Sequence, residues 1–104
     1  MTYGIIRIKS RIPADGKGRA KDFIWNPRTN DWDPLELGKY VMIEKRGWPV
    51  MGKFWFEDGD RWYVAERWMA LPMRIIEELG LSNYVLETVE RKPKWQVVLN
   101  QDND

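Results

Sequence analysis

The chain contains neither cysteine nor histidine. The first absence excludes disulfides, thiolate metal sites and a cysteine nucleophile. The second removes the commonest general base, the commonest metal ligand and the usual activator of a serine hydroxyl. A zinc site would have to be built from carboxylates alone, which is unusual. Serine occurs only at Ser10 and Ser82, neither in a GxSxG elbow, and Ser82-Asn83 suits the turn after a helix. No apolar run reaches the length of a membrane span. The opening MTYGIIRIKSRIPADG also lacks the apolar core of a signal peptide, so a cytoplasmic protein is expected. Net charge is only +1, too little for a global field that draws in nucleic acid. These absences point away from catalysis, and no cofactor or metal is expected.

What the chain does have is tryptophan, seven in 104 residues, more than a core of this size hides easily. Its charge is also uneven: residues 1–30 hold seven Lys/Arg against two Asp, and residues 31–104 hold ten against fourteen acids. The length suits one domain with a single core, expected over residues 1–99, with residues 100–104 a frayed polar tail.

Tyr3–Ile12 alternates. Ile6, Ile8 and Ile12 fall on one side and Arg7, Lys9 and Arg11 on the other, the period of a half-buried strand with a basic outer face. Residues 13–21 form a loop rich in Pro and Gly that continues the basic character through Lys17, Arg19 and Lys21. Its spacing fits neither GxxxxGK[ST] nor GxGxxG. Phe23–Trp25 and Asp31–Asp33 read as a hairpin with Trp25 facing Trp32, closed by Pro34. Lys39–Lys45 reads as a strand, Arg46–Pro49 as a bend carrying Trp48, and Val50–Glu57 with Arg61–Arg67 as a hairpin around Asp58-Gly59. A two-residue turn there sets Trp55 against Trp62 and Phe54 against Tyr63. It also sets Glu57 against Asp60, which repel, so a longer loop is the alternative. Pro72 and Gly80 bracket one short helix, with Ile75, Ile76 and Leu79 as its apolar stripe. Strands at Tyr84–Arg91 and Trp95–Asn100 complete the chain.

The class is therefore mainly β (α+β). Strands, a short helix and two further strands follow the order of a small barrel-like antiparallel sheet, OB- or SH3-like, with an N-terminal strand and hairpin added. A sheet with one helix packed on it reads nearly the same.

Two acidic clusters, Asp31 with Asp33 and Glu57 with Asp58 and Asp60, offer paired carboxylates, but the turn cluster does not match a calcium loop, and turns favour Asp for their own reasons. Aromatics beside cations are the stronger pattern. Trp, Tyr, Met and Arg concentrate in protein interfaces, so a non-catalytic binding protein that occupies a protein partner's surface is the leading expectation. The basic residues Arg7, Lys9, Arg11, Lys17, Arg19 and Lys21 would make its electropositive contact, with Trp25, Trp32 and Trp48 as anchors. In size and composition the chain resembles the small inhibitors that bacteriophages and mobile elements carry to block a host system, a resemblance of style that assigns no residue. The alternative is a nucleotide or single-stranded nucleic-acid binder that stacks bases on a Trp55/Trp62 face. Against it, neighbours along a strand point to opposite faces and need not form one patch. A structural or assembly subunit, including a homodimer, is the third reading.

Overall fold

The computed structural model describes residues 1–44, 47–95 and 99–101. Its elements are β1 (Tyr3–Pro13), β2 (Lys21–Asn26), β3 (Asp31–Pro34), α1 (Leu37–Glu44), β4 (Val50–Glu57), β5 (Trp62–Pro72), α2 (Met73–Glu78), a 3-10 turn at Ser82–Tyr84, β6 (Glu87–Val89) and β7 (Leu99–Gln101). The mainly β class of the sequence holds. All seven strands belong to one sheet, ordered β3-β2-β1-β5-β4-β7, with β6 also pairing β1. Only β4 with β7 is parallel. Among the described residues β3 and β7 do not pair with each other, so the ladder is an open path.

The spine is β1 against β5, an antiparallel ladder running from Tyr3↔Pro72 to Pro13↔Trp62. The opposite edge of β1 is shared by β2, from Ile8↔Ile24 to Arg11↔Lys21, and by β6, from Tyr3↔Val89 to Ile5↔Glu87. One face of this sheet supplies Ile6, Ile8, Ile24, Met69 and Leu71 to the core. Ile43 of α1 and Ile75 and Ile76 of α2 close over them. Both helices therefore cover the same face.

The segment from Lys39 to Glu44, expected as a strand, is helical. Six residues with Tyr40, Val41 and Ile43 satisfy an alternating pattern and a helical one about equally. The helical spacing wins because it buries Ile43 while placing Tyr40 and Glu44, one turn apart, against Arg67. Local β-branched preference yields to this tertiary contact. Of the strand expected over Trp95–Asn100, Trp95 is in no element and Leu99 and Asn100 lie in β7, while residues 96–98, like Lys45 and Arg46, lie outside the described residues. Tyr84–Arg91 forms a strand only at Glu87–Val89, after the 3-10 turn. Asn100 and Gln101, at the start of the expected tail, lie in β7, and residues 102–104 lie outside the description.

The β4–β5 loop is longer than two residues. Asp58, Gly59 and Asp60 all take positive φ, and the Arg61 N–H returns to the Asp58 carbonyl at 3.2 Å. The register moves by two residues, so Trp55 faces Val64, Phe56 faces Tyr63 and Glu57 faces Trp62. The Glu57–Asp60 repulsion of the tighter turn disappears. Because side chains alternate with period two, the slip leaves every aromatic on its expected face.

Gly80, with φ of 70°, terminates the α2 segment as its flanking position suggests. Exchanging Gly80 for alanine puts a Cβ into the left-handed region, and thermal unfolding should report a loss of about 1 kcal/mol.

Candidate basic and aromatic sheet face

The sheet face away from both helices is built from the odd-numbered residues of β1, β2 and β4 and the even-numbered residues of β3 and β5. Register turns these into rows across the strands. Trp32, Trp25, Arg7, Trp68 and Met51 form one row. Pro34, Phe23, Lys9, Glu66 and Lys53 form the next. Lys21, Arg11, Val64 and Trp55 follow, then Pro13, Trp62 and Glu57. Five of the seven tryptophans are on this face, each half-buried.

Cations and rings are interleaved in space as well as in register. The Arg7 guanidinium carbon lies 4.9, 4.8 and 5.2 Å from the ring centres of Trp25, Trp32 and Trp68. Lys9 Nζ lies 4.5 Å from Trp32 and 5.7 Å from Phe23. Arg11 sits 4.3 Å from Trp62, and Lys53 sits 5.5 Å from Trp55. Trp25 and Trp32 meet edge to face, centres 5.1 Å apart. Each cation gains from the negative face of a ring while its charged head stays near solvent.

Two carboxylates organise the rows. Glu66, only 3% exposed, receives Arg7 and lies 3.9 Å from Lys53. Glu57 accepts from Arg11 Nε at 3.2 Å and from Trp55 Nε1 at 3.0 Å. Arg7, Lys9, Arg11, Lys21 and Lys53 against these two acids leave the face with three surplus positive charges, more than the +1 of the whole chain. The field that the overall composition denies is concentrated on one surface.

Of the residues singled out from sequence, Arg7, Lys9, Arg11, Lys21, Trp25 and Trp32 gather here. So do Trp55 and Trp62, the stacking face of the alternative reading. The two candidate sets are a single surface, because β1 pairs with β5 and brings the N-terminal stripe beside the β4–β5 hairpin. The objection that adjacent residues point apart therefore fails across strands. Lys17 and Arg19 lie instead in the exposed loop. Trp48, half-buried, packs against the core cluster rather than on this face, its indole N–H buried and without a partner among the described residues. Trp68, Lys53, Phe23 and Glu66 complete the face and are not among the sequence candidates. The clue to them is that each sits at the parity of a known face residue on its own strand.

Of the other acids in the two clusters, Asp33 and Asp58 are engaged off this face. Asp33 Oδ2 accepts from Tyr84 Oη at 2.8 Å and from Asn26 Nδ2 at 3.0 Å, which ties β3 to the 3-10 turn. The hydrogen bond to Asp33, then burial and the carboxylate's charge, hold the Tyr84 phenol above its ordinary range. A raised acid of this kind stabilises the fold throughout neutral pH and loses that contribution only as strongly alkaline pH removes its proton. Asp58 pairs with Arg61 at 3.7 Å. Among the described residues no three His, Cys, Asp or Glu side chains converge as a metal site.

The chain matches no protein-family model, no curated protein and no solved structure. Its face must be interpreted from its own chemistry.

A cleft of about 500 Å³ opens where β2 begins, on the helix-covered side of the sheet, since Ser10, Ile12 and Asp22 share the parity of the core residues Ile8 and Ile24. Phe23, Leu35, Leu37 and Tyr40 supply apolar wall, Ser10 and Asp22 the polar interior, and the exposed Arg19 and Lys21 its basic edge. Arg67 organises it from behind. Its Nη1 donates to Glu44 at 2.6 Å and its Nη2 to Ser10 Oγ at 2.7 Å. Ser10 Oγ in turn donates to Asp22 Oδ1 at 2.7 Å. Among the described residues no helix is long and apolar enough to cross a membrane.

Proposed function

We propose that the protein is a non-catalytic, cytoplasmic binder of single-stranded nucleic acid and that the helix-free sheet face is its binding surface. The observation that carries this reading is the gathering of five tryptophans and Phe23 with five cations on one face. Single strands are held by this combination: rings and guanidinium planes stack on bases, and cations meet phosphates. The acidic character of the chain beyond residue 30 weighs little against it, because the surplus positive charge is local. Sequence tolerance is expected on the face, since every base has a π-surface and the rows offer few fixed acceptors.

The test is titration of the intrinsic tryptophan fluorescence with oligo-dT. With about three phosphates neutralised, affinity should fall about 20-fold between ~50 mM and ~200 mM NaCl, following the single-strand counterion slope. Absence of binding, or binding indifferent to salt, would sink the proposal.

A second reading keeps a protein partner, with the phage-type inhibitor as its most specific form and a second copy of the chain as its simplest. What favours it is that Arg7, Arg11 and Lys53 already have carboxylate neighbours. Such a face is partly neutralised and rich in the residue types of binding hot spots. Here, once apolar anchors dominate, salt should matter little.

A further inference from the structure

We infer that the cleft at the end of the sheet, on its helix-covered side, is a base-specific pocket for guanine, an inference that rests on the nucleic-acid reading of the opposite face. Asp22 is the residue that decides it. Its Oδ1 accepts from Ser10 Oγ at 2.7 Å, while no side-chain or backbone donor among the described residues reaches Oδ2. A carboxylate accepts only, so a ligand that displaces water from it must offer donors. The relay behind it fixes its position. Glu44 holds Arg67, Arg67 holds the 2%-exposed Ser10 hydroxyl, and that hydroxyl donates its proton to Asp22. Ser10, Arg67 and Glu44 are positioning residues, and Asp22 is the one that touches the ligand.

The remaining chemistry narrows the ligand. The walls from Phe23, Pro34, Leu35, Leu37 and Tyr40 suit a flat ring, and the volume of about 500 Å³ accommodates a nucleotide. Arg19 and Lys21 at the edge suit a phosphate. Of the four bases only guanine presents two adjacent N–H donors, N1–H and N2–H, on its Watson–Crick edge. Adenine and cytosine place an acceptor beside their single amino group, and uracil or thymine flanks its single N–H with two carbonyls. An acceptor held against a carboxylate is repelled, so Asp22 selects guanine and rejects the others.

Position links the cleft to the strand path. Phe23 and Lys21 border both, since they line the cleft while their parity places them on the face, where the Phe23 ring receives Lys9 Nζ at 5.7 Å. A strand lying across the rows therefore reaches the cleft by turning over the end of the sheet at Lys21, where it delivers one unstacked base. The face supplies affinity without sequence, and the pocket supplies a preference at one position.

The experiment is a pair of titrations on the full chain, one with the four nucleoside monophosphates and one with oligo-dT, which carries no guanine. GMP should bind about tenfold or more tighter than AMP, CMP or UMP, the discrimination of one bidentate base contact. Asp22→Asn replaces one acceptor oxygen with a donor and should remove that preference while leaving oligo-dT binding in place. Leu37→Trp, at an exposed position on the cleft wall, should block GMP by filling the space with Asp22 untouched, which separates occupancy from any loss of fold. Oligo-dT binding with equal affinity for all four monophosphates would overturn the pocket and leave the face reading standing. GMP binding that depends on Asp22, without oligo-dT binding, would overturn the face reading and keep the cleft as a mononucleotide site. GMP preference unchanged in both variants would overturn the assignment to this cleft.

Discussion

Replacing Glu66 by glutamine should move stability and binding in opposite directions. Glu66 is 3% exposed on the bare face and lies between Lys9 and Lys53 in register, with Arg7 bound to the same carboxylate. Removing its charge leaves Arg7 without its countercharge in a partly desolvated place. Breaking fully buried pairs this way costs about 3–5 kcal/mol. The Arg7 side chain is 28% exposed and Lys53 44%, so water recovers part of the loss, and about 2 kcal/mol is the expected cost. In a domain of this size that is roughly 10 °C in Tm. The same change raises the positive surplus on the face and frees Arg7 and Lys53 for phosphate. Affinity for oligo-dT should then rise about fivefold at low salt and the salt slope should steepen. A melting curve and a two-salt titration on one preparation decide it. If affinity falls along with Tm, Glu66 acts by holding the Arg7 plane in place and the charge-count explanation is wrong.

The opposed signs express a trade-off visible in the fold. A face loaded with cations repels itself and would splay, so carboxylates are needed where the charges crowd. Each carboxylate subtracts from the field that attracts a polyanion. The protein places one deep and one at the rim. Glu66 stabilises from beneath, while Glu57 at the end of β4 engages Arg11 and orients Trp55.

How much of this is readable in the sequence depends on whether the information is local. The alternation through Arg7, Lys9 and Arg11 can be read directly, because a half-buried strand writes its two faces at period two. Trp25 and Trp32 can be paired because a short turn fixes their register. Pro72 and Gly80 mark the helix between them, since each residue does something specific at a helix end. The nature of Tyr40–Glu44 cannot be read, because what makes it helical is Arg67, some two dozen residues away. The sheet order is equally hidden. Nothing in Tyr3–Pro13 or Trp62–Pro72 announces that they pair, and that long-range pairing merges two apparently rival sites into one. Trp48 shows the converse. It has the same residue type and the same basic neighbours as the face tryptophans, and only packing distinguishes it.

The same long-range ladder predicts a second large effect, at Gly52. This residue lies on the helix-covered side of β4, opposite Arg67, and a Cβ there would come within 2.7 Å of the Glu66 carbonyl oxygen and 3.0 Å of Arg67 Cγ. The nearer contact is backbone of the central strand, which cannot rotate away as a side chain can. Gly52→Ala must therefore push β4 from β5, and overpacking of this kind costs about 2–3 kcal/mol, roughly 10–15 °C in Tm. Gly38 is the control. It lies in α1, where an added methyl group would meet nothing within 4 Å, so Gly38→Ala should stabilise by about 1 kcal/mol through helix propensity. The functional consequence is specific. Glu66 and Arg67 point to opposite faces of β5, the first holding the cation rows and the second the Ser10–Asp22 relay. Displacing this one stretch of backbone should weaken oligo-dT and GMP binding together, whereas Asp22→Asn weakens only GMP. Urea unfolding of the two glycine variants, followed by both titrations on whatever remains folded, separates the cases. If Gly52→Ala melts with the parent protein, β4 and β5 have slack between them. The two faces are then not coupled through that strand.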